Sequence, residues 1–214
     1  MILKKTDFKN EYTCTIIGLF TNAFLTVLKL SVGIIGQSHA LIADSIHSLS
    51  DGFATFITYI AIKISNKPAD EDHPYGHGNI ETIASWFVAV LLLLTGIYLG
   101  YSAIHAIYHK NYFIPHMITM WIALLSAISK EILYRYTIFV GKLVNSPAIK
   151  ANALDHRSDA FSSIGALIGI IAARFGYPFL DPLAGIIISA MIIKMGLHIF
   201  RESTNINYSV KGSM

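Results

Sequence analysis

IETIASWFVAVLLLLTGIYLGYSAIHAIY, running from Ile80 to Tyr108, decides what kind of protein this is. A helix needs about 20 apolar residues to cross the hydrocarbon core of a bilayer, and this stretch exceeds that without a break. Five further blocks of the same kind flank it, at roughly Tyr12–Gly36, Ala40–Ile64, Phe113–Val140, Ile149–Ala173 and Leu183–Phe200. Short polar links separate them. Only 14% of the residues are charged and 54% are hydrophobic, where a soluble domain carries about a quarter charged. The expected fold is all-α: an integral membrane protein of six transmembrane helices. Its expected layout is a cytoplasmic segment over residues 1–11, a six-helix transmembrane domain over 12–201 and a short cytoplasmic tail over 202–214.

Orientation follows from the basic residues. With the N-terminus inside, Lys4, Lys5, Lys9, Lys63, Lys67, Arg135, Lys142, Lys150, Arg201 and Lys211 fall on the cytoplasmic side, against Lys110 and Arg174 on the other. Both termini are therefore expected in the cytoplasm, with a cell membrane, the bacterial inner membrane, as the location. No basic cluster points to nucleic acid. The lone Cys14 excludes an internal disulfide and a cysteine-based metal site. The start MILKKTDFKNEYT is polar and the apolar block after it is long enough to stay in the membrane, so no cleavable signal is expected there.

The second and fifth blocks echo one another. Ala43, Ser50, Asp51 and Phe53 recur at one constant offset as Ala151, Ser158, Asp159 and Phe161. Three helices lie between equivalent points, so the halves enter the membrane from opposite sides. That is the 3+3 inverted-repeat plan of many secondary transporters, whose site lies near the midplane.

Ionisable side chains inside spanning helices are expensive and need a reason. His47 and Asp51 stand at i, i+4 in the second block and share a helical face, and Asp155 and Asp159 repeat the spacing in the fifth. Together they offer one imidazole and three carboxylates, enough for a four-coordinate metal site; the alternative is a polar cluster that serves only helix packing. Asp44 and Asn152, three residues ahead of each pair, would orient ligands or line the pathway. His156 and Arg157 are expected to point elsewhere, packing against headgroups and neighbours. Asp70, His73 and His77, in the link NKPADEDHPYGHGNIE, form a second candidate metal site, or else a solvated turn. Glu71, Asp72 and Glu81 would gather cations there. His105 and His109 read as interfacial anchors, and Lys130 and Glu131 as groups paired with other polar groups or with water.

The strings HALIADSIHSLSDG, KPADEDHPYGHGNIE, SKEILYRYT, ALDHRSDAFSSIG and LDPLAGIIISAMII resemble the cation diffusion facilitator family of proton-coupled zinc, iron and manganese exporters. The resemblance covers nearly the whole chain. It implies a tetrahedral transport site that falls on His47, Asp51, Asp155 and Asp159, and a loop site that falls on Asp70, His73 and His77. Two departures stand out. Zinc-selective members commonly carry H-x3-D on both helices, whereas Asp155 takes the first position on the fifth. Family members also usually continue into a cytoplasmic metal-binding domain, whereas this sequence stops about a dozen residues after the sixth block, which leaves a homodimer open.

The expected function is transport, not enzymatic catalysis: export of Zn2+, Fe2+ or Mn2+ from the cytoplasm in exchange for protons, with no cofactor beyond the transported ion. Metal binding displaces protons from its ligands, and three carboxylates around one divalent ion leave a formal charge near minus one, which favours release by reprotonation. A passive divalent-cation channel, or a non-transporting metal sensor or scaffold, would use the same ligands. The absence of H-E-x-x-H argues against an intramembrane metalloprotease.

Overall fold

A computed structural model of the chain describes residues 11–65 and 79–211. The described chain is all-α, with six helices: α1 (Glu11–Ile35), α2 (His39–Ser65), α3 (Asn79–Tyr108), α4 (Met117–Leu143), α5 (Pro147–Arg174) and α6 (Leu180–Lys211). Each expected block became one helix. α6 runs on past Phe200, where its apolar block ends, because each residue added to a helix already formed gains a hydrogen bond against the entropy it loses, with no new nucleus to form.

Four of the helices contain stretches long and apolar enough to cross a membrane by themselves: Thr13–Ile35, Ile83–Tyr108, Met117–Leu143 and Leu180–Arg201. The other two, α2 and α5, carry the polar groups picked out above, among them Asp44, His47, Asp51, Asn152, Asp155 and Asp159. Large apolar side chains such as Phe20, Phe24, Trp121, Ile128, Phe161 and Ile168 are exposed. In water they would be an aggregation hazard, whereas lipid tails solvate them.

Two compact units make up the chain, dividing within α2, α3 and α6. In the first, residues 1–49 and 103–188, the linkers at one end are tied together. Asp181 at the start of α6 accepts from Ser38 Oγ at 2.6 Å and from the His39 backbone N–H at 2.7 Å. Arg174 donates to the Pro115 carbonyl at 2.6 Å, and the His116 N–H donates to the Gly36 carbonyl at 3.0 Å. The start of α2 thus lies beside the end of α5, and the two helices run in opposite directions. Gly36 permits this contact: a Cβ there would stand 2.2 Å from Thr119 Cγ2.

At the other end of this unit, the turn between α4 and α5 starts α5 by ordinary capping. Ser146 accepts from the Ile149 N–H, and Pro147 fills the first helical turn, where no donor is needed. Cys14, Val140 and Ile149 form a buried cluster beside it. In the second unit, residues 50–102 and 189–214, α3 and α6 approach closely through small residues. A Cβ on Gly96 would meet Ile193 Cγ1 at 2.7 Å, and one on Gly196 would meet Leu92 Cβ at 3.1 Å.

Candidate metal centre

His47, Asp51 and Asp159 each offer one ligand atom, and these atoms all lie within 4.8 Å of one another. His47 and Asp51 meet because a helical repeat of 3.6 residues sets i and i+4 on one face of α2. Asp159 comes from the middle of the 28-residue α5. At 1.5 Å per residue such a helix is about 40 Å long, so its middle lies about 20 Å from either end, inside the hydrocarbon layer. His47 and Asp159 are buried, at 5% and 2% exposure, and Asp51 is half-buried. Ligand atoms around a tetrahedral zinc, each about 2.1 Å from it, stand roughly 3.4 Å apart. The group is therefore open by about an ångström and would draw together around an ion.

Asp155 stands outside this group and is exposed. α2 and α5 run antiparallel with Asp44 opposite Ser163, so the step from His47 on to Asp51 and the step from Asp159 back to Asp155 lead the same way along the bundle. Asp155 thus lies near the height of Asp51, and its exposure rather than its height sets it apart. Asp70, His73 and His77 of the loop site lie outside the described residues.

A second layer of charge sits beside the ligands. The side chain of Lys130, midway along α4, is fully buried and donates to both Asp159 and Asn22. One turn further on, Lys29 is equally buried. It donates to Asp44 Oδ2 at 3.0 Å, to Ser48 Oγ at 2.8 Å and to the Asp44 carbonyl at 3.2 Å. Ser163 adds a hydrogen bond to Asp44 Oδ2 at 2.8 Å and shares another with Ser126 at 3.0 Å. Through these bonds Asp44 links α1, α2, α4 and α5.

Of the two surroundings expected for His156, headgroups and neighbours, it takes the second. It is buried at 3% exposure, with neither ring nitrogen hydrogen-bonded among the described residues, and a Cβ on Gly18 would come within 3.3 Å of its ring. A glycine on α1 leaves the space that an imidazole on α5 fills. Arg157 is exposed, donates to the Tyr134 hydroxyl at 3.2 Å and lies over the rings of Tyr134 and Phe161. Glu131 pairs with Arg135 at 2.8 Å on the surface. The rings of His105 and His109 lie with centroids 4.2 Å apart and planes tilted by 42°.

Lys29, Asn22 and the link from Lys130 to Asp159 escaped the sequence reading. A signal for them existed. Two lysines in the middle of apolar helices must each find an acceptor, and intramembrane aspartates were the available ones.

The model of the cation efflux transmembrane domain matches residues 15–206. An uncharacterized transporter of Methanocaldococcus jannaschii is 39% identical over 193 residues, which is 90% of this chain and 68% of the relative. Magnetosome protein MamB of Paramagnetospirillum magneticum is 42% identical over 179 residues, 84% of this chain and 60% of its own. The manganese efflux system protein MneS of Bacillus subtilis is 36% identical over 199 residues, 93% of this chain and 69% of its own. The chain thus spans about two thirds or less of the length of these relatives.

Proposed function

The chain belongs to the cation efflux family, and on that premise we propose that it moves a divalent transition-metal ion across a membrane through His47, Asp51 and Asp159. The convergence of these three ligand-type side chains midway along their helices carries the reading. The cargo is of the manganese, iron and zinc class. One imidazole against two carboxylates suits hard divalent ions such as Mn2+ and Fe2+ as well as Zn2+, and a relative bears the name of a manganese efflux system protein.

The ion leaves the cytoplasm, where the excess of basic residues sets both termini. Asp70, His73 and His77 collect it in the α2–α3 link. Asp155, exposed one turn before Asp159, receives it next. It then exchanges water for His47, Asp51 and Asp159. His47 must be neutral and both carboxylates ionised to ligate it, so binding releases whatever protons these groups hold. When the centre opens to the far side, where the medium is more acid, protons compete again and the metal departs. Export of one ion is therefore linked to uptake of protons.

Flux of Mn2+, Fe2+, Zn2+, Co2+ and Cd2+ into proteoliposomes, with and without an imposed pH gradient, tests this. A gradient acid on the trans side should accelerate uptake, and flux indifferent to the gradient would mark a passive channel. Binding without flux would mark a sensor.

A further inference from the structure

Lys130 is a cation standing where the cargo has to go. Its buried ammonium donates to Asp159, one of the three grouped ligands, and to Asn22 on α1. Asp159 Oδ1 is buried without a hydrogen-bond partner among the described residues, so this carboxylate has acceptor capacity left on the side away from Lys130. The arrangement differs from Lys29, whose ammonium meets three acceptors, matching its three protons. Lys130 has two, and one of them is a ligand.

Charge decides what happens when a metal arrives. Asp51 and Asp159 with Lys130 carry one formal negative charge. A divalent ion added to that set makes it positive by one, with two cations sharing the Asp159 carboxylate in a region of low dielectric, where like charges repel strongly. A lysine ammonium is a compact charge on a flexible four-carbon stem, so it can give way where a fixed group could not. Asn22 Oδ1 is the acceptor that remains to it.

We propose that Lys130 is a tethered counter-cation of the transport site, holding Asp159 while the site is empty, displaced toward Asn22 by an incoming divalent ion, and returning to Asp159 to help expel it. This rests on the reading of His47, Asp51 and Asp159 as that site. A selectivity follows. Na+ or K+ displacing Lys130 exchanges one unit charge for another and gains nothing at Asp159, whereas a divalent ion gains a second charge. Lys130 thus keeps abundant monovalent ions out while weakening divalent binding enough for release.

The test is Mn2+ binding by calorimetry to the purified full chain, with turnover measured in proteoliposomes. Lys130→Met should bind Mn2+ at least tenfold more tightly, turn over more slowly, and become sensitive to competition by Na+ and K+. Lys130→Arg, which keeps the charge, should return affinity and ion discrimination toward those of the unaltered protein. If Lys130→Met does not fold, Lys130→Gln, whose amide can still bond to Asn22 and Asp159, carries the same test. Unchanged or weaker Mn2+ binding in a folded neutral variant overturns the proposal. Asp159→Ala is the separate control: Mn2+ binding that survives it removes the transport site itself, whatever Lys130 does.

Discussion

Lys29 with Asp44 and Lys130 with Asp159 are the same chemical pair, both buried, set about one helical turn apart. Ser163 follows Asp159 by four residues, and Ser126 precedes Lys130 by four, and these two serines bond to one another beside Asp44. The two pairs differ in what surrounds them. Lys29 and Asp44 are held by Ser48, Ser163 and a backbone carbonyl, so every proton of the ammonium is placed. Asp159 instead faces His47 and Asp51. Asp44 Oδ1, like Asp159 Oδ1, has no hydrogen-bond partner among the described residues, so the difference lies in the ammonium. One whose three protons are all placed is a clamp, because moving it strands its acceptors. A pair in which one member also belongs to a ligand group has somewhere else to go. Burial and pairing alone therefore do not tell a strut from a moving part; the remaining hydrogen-bond partners do.

The sharpest way to break this contrast is Asp159→Asn, which keeps the shape and removes the charge. Divalent binding should fall at least a hundredfold, about 2.7 kcal/mol, read by calorimetry on the purified protein. Retained binding would make Asp159 a strut like Asp44.

Lys29→Met should act on stability first. It leaves Asp44 as a buried charge without its cation, which costs about 3–5 kcal/mol, seen as a lower melting temperature in detergent. The double change Lys29→Met with Asp44→Leu should recover most of that loss, because a hydrophobic replacement of both members leaves nothing stranded. No recovery would mean that the pair does more than clamp.

Asp155→Ala sharpens the boundary of the ligand group. Exposed and a turn away, Asp155 should slow uptake while equilibrium Mn2+ affinity changes by less than about threefold, under 0.7 kcal/mol. A loss equal to that of Asp159→Asn would bring Asp155 into the ligand set as a fourth member.

The smallest effect belongs to the pair at the surface. Glu131 and Arg135 are exposed, at 41% and 76% of their side chains, and Glu131→Ala should shift stability by no more than about 0.5 kcal/mol. A larger shift in the same melting experiment would show that lipid or headgroups shield this pair far more than water does.

The sequence by itself determined the membrane class, the six helices and the three residues that the structure groups, His47, Asp51 and Asp159. Hydrophobic burial in lipid is a property of runs of residues, and a run is visible without coordinates. His47 and Asp51 were legible because both lie on one helix, where the 3.6-residue repeat alone fixes their common face. Asp159 was legible because it echoes Asp51. What only the tertiary structure decided is which groups meet across helices. Lys130 finds Asp159 and Asn22, Lys29 finds Asp44, and His156 turns inward onto Gly18, although nothing local in sequence links the members of any of these sets. Asp155, one turn before Asp159, is exposed and outside the group, which its spacing alone did not reveal. Equal spacing fixes the face of each helix, but the antiparallel course of α2 and α5 fixes the height. With Asp44 opposite Ser163, that course sets Asp155 near the height of Asp51, and whether a side chain there is covered depends on what packs over it.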